Sequence, residues 1–149
     1  SAASVLGGII TKQKQETLNS LSLFGNYLGI AFQILDDVLD YDISSNSFGK
    51  KIGDDFREGK VTLPILIAYN KSNYKEKVFW KKVIEDLDQE KNDLKKALDI
   101  IKKYNSLSQA KSYSKAYAKK ANEILKKLPK NNINKSLSTI CEFVFKRKN

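Results

Sequence analysis

Between residues 13 and 42 the apolar positions Leu18, Leu21, Phe24, Leu28, Phe32, Leu35 and Leu39 recur at steps of three and four. No proline interrupts them. A 3.6-residue period sustained over about eight turns commits this stretch to one long amphipathic helix. It leaves room only for folds that can house such a rod. Elsewhere no segment alternates apolar and polar residues between turn signals. The 149 residues include only 7 glycines and 2 prolines, too few for a turn-rich β architecture. The sequence therefore predicts a single all-α region over residues 1–149.

The remaining segments read the same way. Residues 1–9 are small and apolar, like the end of a buried helix. Gly25 and Gly29, one turn apart in the long helix, would let another backbone approach closely. Residues 43–59 read as a loop on their Ser-Ser-Asn-Ser run and turn-type glycines. A short apolar helix is expected over 61–71, with Pro64 tolerated in its first turn. Lys-rich amphipathic helices follow over 74–86 and 90–104. Ser106 and Gln109 have capping-box spacing for a helix reaching about Leu128, with Leu107, Ala110, Tyr113, Tyr117, Ala121, Ile124 and Leu128 as its buried stripe and Pro129 as its stop. A last helix, about 133–146, is expected to bury Ile133, Leu137, Ile140, Cys141 and Val144. There Cys141 reads as an inert core thiol.

Composition narrows the chemistry. One cysteine permits no disulfide within the chain and no cysteine-based zinc site, and zero histidines remove His-dependent nucleophile systems and His-ligated metals. A metal here would need oxygen ligands, which favours Mg²⁺, Ca²⁺ or Mn²⁺. No run of 18 apolar residues is present, so no membrane-spanning helix is expected. The net charge of +10 suggests an anionic partner, but it is unevenly spread. Residues 36–60 carry seven acids against four bases, net −3, which leaves +13 for the rest. Lysines spread over helices are commonly a solvated face. With only two arginines and no recognition-helix motif, a nucleic-acid partner is not expected.

The acidic segment holds the constellation Asp36-Asp37-x-x-Asp40 near the end of the long helix. Asp36 and Asp40 stack one turn apart, and Asp37 flanks them. Gln33 lies one turn earlier on the same side. Like charges at this spacing repel, and the negative end of the helix dipole adds to the cost. Apolar neighbours Ile34, Leu35, Val38 and Leu39 sharpen the need for a compensating cation. Mg²⁺ held by one or two carboxylates plus ligand phosphates would supply it. The segment that follows returns Lys50, Lys51, Arg57 and Lys60 toward the carboxylates. Carboxylates for a metal beside amines for phosphates suit a Mg²⁺–diphosphate site. The same charges could instead form surface ion pairs of little energetic value.

Three stretches carry a resemblance: GNYLGIAFQILDDVLDYD, FGKKIGDD and FREGKVTLPILIA. From Gly25 to Ala68 they closely resemble the second aspartate-rich region of the trans-type polyprenyl diphosphate synthases, especially the long-chain, octaprenyl-like members that supply quinone side chains. Beyond Ala68 the likeness is looser. The resemblance implies the C-terminal half of the isoprenoid synthase helical bundle. It places a first aspartate-rich motif, an Arg pair and a Lys-Thr pair upstream of Ser1.

The resemblance also implies a function and a set of roles. The parent enzyme would elongate an allylic diphosphate with isopentenyl diphosphate, using Mg²⁺. Asp36 and Asp40 would bind Mg²⁺, with Asp37 as a further, water-mediated ligand. Lys50 and Lys60 would grip the allylic diphosphate, Lys51 substituting for Lys50. Phe32 and Gln33 would face the allylic cation and its tail, and Arg147 would close over isopentenyl diphosphate. A cytoplasmic homodimer is implied, with this half inactive alone. A non-catalytic helical subunit that keeps the synthase fold is the alternative.

Overall fold

In a computed structural model, residues 1–42, 52–129 and 131–146 are described, and they form eight α-helices with no strand among them. These are α1 (Ala2–Ile10), α2 (Gln15–Tyr41), α3 (Asp54–Arg57), α4 (Leu63–Lys71), α5 (Tyr74–Trp80), α6 (Asp93–Lys103), α7 (Ser106–Leu125) and α8 (Asn132–Lys146), with a π-helical turn over Lys81–Glu85. The all-α expectation holds, and the long periodic stretch is the single helix α2. Two compact units are present. The first comprises Ser1–Gln33 with Tyr113–Lys148, and the second comprises mainly Ile34–Ser112.

In the first unit, Phe24, Ala121, Leu125 and Cys141 form the buried cluster, with Tyr27, Leu28, Ile124, Leu128 and Leu137 packed against it. Gly25 permits the predicted close approach. A Cβ there would come within 2.6 Å of Ser4 Oγ and 2.8 Å of Ser1 Cα, so the start of α1 crosses α2 at this point. Around Gly29 there is open space instead. Burial pushes the Cys141 thiol up to about 11, in keeping with an inert core cysteine. The C-terminal end of α7 is closed by a side chain from α8. Asn134 Nδ2 donates to the carbonyls of Leu125 at 2.8 Å and Pro129 at 3.1 Å. Three residues expected to be buried in this unit are exposed. Ile133 and Ile140 are exposed on α8, because its inward face is the narrower line through Leu137, Cys141 and Val144. Tyr113 is likewise exposed on α7. Leu6, Ile9 and Ile10 of α1 also face solvent.

The second unit packs around Tyr41, Phe56, Ile65, Ala68, Phe79, Trp80, Val83, Ala97, Ile100 and Ile101. Trp80 is almost fully buried, and its indole N–H donates to Ser72 Oγ, which in turn donates to the Ala68 carbonyl at 2.8 Å. The amphipathic α6 turns Ala97, Ile100 and Ile101 inward and its lysines outward. Helix α4 begins with Thr62 as N-cap and Pro64 in its first turn, as the sequence predicts.

Capping falls elsewhere than predicted. Asn105 takes a left-handed conformation (φ 51°), which starts α7 at Ser106 itself and puts Ser106 inside the first turn. The Ser106 hydroxyl is buried without a hydrogen bond, and Gln109 Nε2 donates back to the carbonyls of Tyr104 and Asn105. A true capping box opens α5. Asn73 Oδ1 accepts from the Glu76 amide at 3.0 Å, and Glu76 Oε2 accepts from the Asn73 amide at 2.9 Å. Glu76 also accepts from Lys103 Nζ and Tyr104 Oη, each at 2.7 Å, tying α5 to the end of α6. The Lys103 bond foremost, then Tyr104, holds the Glu76 carboxyl at about 2 against an ordinary 4.5. Its stabilisation is therefore complete above pH 4.5 and is lost as pH falls through about 2. Glu76→Gln should show a shallower loss of thermal stability than wild type across that interval. Parallel melting-temperature curves for the two proteins would refute this.

Candidate functional site

The aspartates sit where the periodicity puts them, in the last two turns of α2. Asp36 is exposed, while Asp37 and Asp40 are buried at 7% and 3%. Adjacent helical positions diverge by about 100° around the axis, so Asp36 and Asp37 cannot point the same way. Asp40 Oδ2 accepts from the Asp55 backbone amide at 3.0 Å, and the Asp40 carbonyl accepts from the Gly53 amide at 2.9 Å. Asp40 thus holds the start of α3 against the end of α2, with its carboxylate on an otherwise unsatisfied first-turn N–H. Gly53 makes the entry with φ 81°, and a Cβ there would press on the Leu94 side chain.

Helix α3 lies within the stretch read as loop from the sequence, and its four residues gain their stability from these contacts rather than from length. It closes with a Schellman motif. Gly59, at φ 66°, donates to the Phe56 carbonyl, and the Lys60 amide donates to the Asp55 carbonyl at 2.9 Å. The turn returns Lys60 to Asp55, where Nζ meets Oδ1 at 2.9 Å. The Asp55 bond raises the Lys60 pKa, and the fields of Asp55, Asp37 and Asp36 add to it. Lys60 is therefore linked to the end of α2 through Asp55, whose amide is held by Asp40 Oδ2. Arg57 pairs with Asp54 at 2.7 Å, and Asp42 pairs with Lys111 at 2.9 Å.

Behind these groups lie Tyr41 and Thr62, both buried. Burial raises the Tyr41 phenol, the adjacent Thr62 hydroxyl works against the shift, and Asp40, Asp55 and Asp37 add to it. The two hydroxyls are neighbours, but neither makes a hydrogen bond of good geometry. Tyr41, Asp55 and Thr62 lie in the stretches that carry the resemblance but were given no role by the sequence. The signal that could have found them is the return of the chain after Gly53, which sets Asp55 and Thr62 against the end of α2.

Among the described residues no three carboxylates or thiolates converge tightly enough to enclose a metal ion. Asp36 faces outward, and one oxygen of Asp40 is engaged by α3. The donor chemistry still fits Mg²⁺. All donors are carboxylate oxygens, and Mg²⁺ is usually held by one or two of these together with phosphates and water. Gln33 is exposed and Phe32 half-buried one turn earlier on α2, in the part belonging to the first unit. Lys50, Lys51 and Arg147 lie outside the described residues.

The fold is that of the helical isoprenyl synthases. A decaprenyl diphosphate synthase from Rhodobacter capsulatus superposes with a TM-score of 0.89 at 38% identity, over 98% of this chain and 45% of that one. A polyprenyl synthase from Caulobacter crescentus, complexed with calcium and isoprenyl diphosphate, gives 0.87 at 34% identity, over 99% and 45%. Octaprenyl diphosphate synthase of Haemophilus influenzae is 34% identical over 140 residues, which is 94% of this chain and 41% of that protein. Residues 1–101 match the family described as Polyprenyl synthetase, and the chain belongs to that family. It spans less than half the length of these relatives.

Among the described residues no helix is long and apolar enough to cross a membrane.

Proposed function

We propose that residues 1–149, as one all-α region, carry the second aspartate-rich region of a trans-prenyltransferase. Completed by the rest of a synthase, the chain elongates an allylic diphosphate with isopentenyl diphosphate. The observation that carries this reading is the Lys60 ammonium, tethered at Asp55 within the field of Asp36 and Asp37. Carboxylates without such a cation would repel a diphosphate, and lysines without carboxylates would hold one but no metal. The Caulobacter relative, with calcium and isoprenyl diphosphate bound, supports the pairing.

In the reaction the allylic C–O bond breaks, and diphosphate departs with the electron pair. The double bond of isopentenyl diphosphate attacks the allylic cation, and a proton is lost from the adduct. Asp36, Asp37 and Asp40 would hold Mg²⁺, which supplies charge stabilisation to the departing diphosphate. Lys60 donates to a diphosphate oxygen and keeps the leaving group in place. Asp40 keeps the turn that bears Lys60 fixed to α2. Lys50 and Lys51 would add donors to the allylic diphosphate, and Arg147 would close over isopentenyl diphosphate. Gln33 and the face of Phe32 would lie toward the allylic cation. A long-chain product for quinone side chains, a cytoplasmic location and a homodimer complete the proposal.

Reconstitution tests it. The chain is co-expressed with the N-terminal half of the Haemophilus octaprenyl synthase, and the purified pair is assayed with labelled isopentenyl diphosphate. Elongation that disappears with Asp36→Ala is expected. A stable complex that makes no product under any metal condition would favour the non-catalytic subunit instead.

A further inference from the structure

We propose that Asp55 is a positioning residue that holds the Lys60 ammonium ready for a diphosphate oxygen, an inference that rests on the function proposed above. Asp55 is joined to Lys60 twice. The Lys60 amide donates to the Asp55 carbonyl at 2.9 Å, and Lys60 Nζ donates to Asp55 Oδ1 at 2.9 Å. Asp55 is in turn fixed to the end of α2 through its own amide on Asp40 Oδ2. A continuous path therefore runs from the aspartate motif through α3 to the ammonium. Phe56, buried at 2%, anchors that turn in the core.

A lysine has a long, freely rotating stem, and ordering it only when ligand arrives would cost much of the binding free energy. Asp55 removes that cost by ordering the stem beforehand. The opposing effect is competition, since a carboxylate on the ammonium also neutralises it. Two features decide for positioning. An ammonium has three N–H donors, and Asp55 Oδ1 uses one. The Lys60 side chain is 45% exposed against 16% for Asp55, so the ammonium is open to solvent while its holder is tucked in.

The two effects predict opposite signs in one experiment. Inorganic pyrophosphate with Mg²⁺ is titrated into the chain by NMR, for wild type, Asp55→Ala, Asp55→Asn, Lys60→Ala and the Asp55→Ala/Lys60→Ala double variant. Amide fingerprints report retention of the fold. Asp55→Ala should bind about fivefold more weakly, the worth of one ordinary hydrogen bond. It should cause no further loss once Lys60 is absent, whereas Asp55→Asn keeps an acceptor and should retain most of the affinity. Side-chain ¹⁵N relaxation of the Lys60 ammonium should show it ordered in wild type and loose in Asp55→Ala. Tighter or unchanged binding in Asp55→Ala, or an equal loss without Lys60, overturns the inference. So does an ammonium equally mobile with and without the Asp55 carboxylate. If wild type itself fails to bind Mg²⁺–pyrophosphate, the proposed function loses its support, and the relaxation comparison still decides whether Asp55 holds Lys60.

Discussion

Purified chain supplied with a labelled allylic diphosphate, isopentenyl diphosphate and Mg²⁺ should yield no elongated product. This sequence contains one D-D-x-x-D cluster, and the described carboxylates do not by themselves enclose a cation. Charge stabilisation of a departing diphosphate by bound metal is worth several kcal/mol, so an incomplete set should slow the step by about a thousandfold or more. Radiolabel or mass-spectrometric detection of product at an ordinary synthase rate, ~1–10 per second, would show that these 149 residues suffice.

Pyrophosphate binding should depend almost wholly on Mg²⁺. Without metal the anionic ligand meets the carboxylates of Asp36, Asp37 and Asp40, which repel it. With metal the sign of the local charge inverts. Affinity should be about millimolar, near 4 kcal/mol. Asp36→Ala should weaken it by at least about tenfold, since a divalent cation loses its exposed carboxylate. Calorimetric titrations with and without Mg²⁺, in wild type and Asp36→Ala, read both effects. Binding that ignores Mg²⁺ and survives the substitution would assign the anion to the lysine-rich helix surfaces instead.

Much of this architecture could be read from the residues because its determinants are local. Helix α2 announces itself by a stripe repeated within one segment, and the D-D-x-x-D cluster inherits its geometry from that helix. Pro64 and the apolar run after it mark the start of α4 for the same reason. What escaped depends on residues far apart in sequence. Asp55 has no periodicity to betray it, and its place comes from the bond of its amide to Asp40, fifteen residues back, and of its carboxylate to Lys60. Glu76 looks like any helix-surface acid until Lys103 and Tyr104 arrive from α6. Ser106 and Gln109 had the spacing of a capping box, but the left-handed Asn105 shifted the helix start by one position. Ile133 and Ile140 fit an apolar stripe, yet sequence alone does not set how wide a face α8 buries.

The Asn134 side chain that closes the end of α7 has a consequence for how the first unit comes apart. The carbonyls of Leu125 and Pro129 share one amide donor, and that donor belongs to α8. When α8 lifts away, the final turn of α7 loses its terminus and its cover over Leu125 together. The two segments should therefore open as one cooperative unit, with hydrogen exchange in the last turn of α7 following the detachment of α8 rather than gradual fraying.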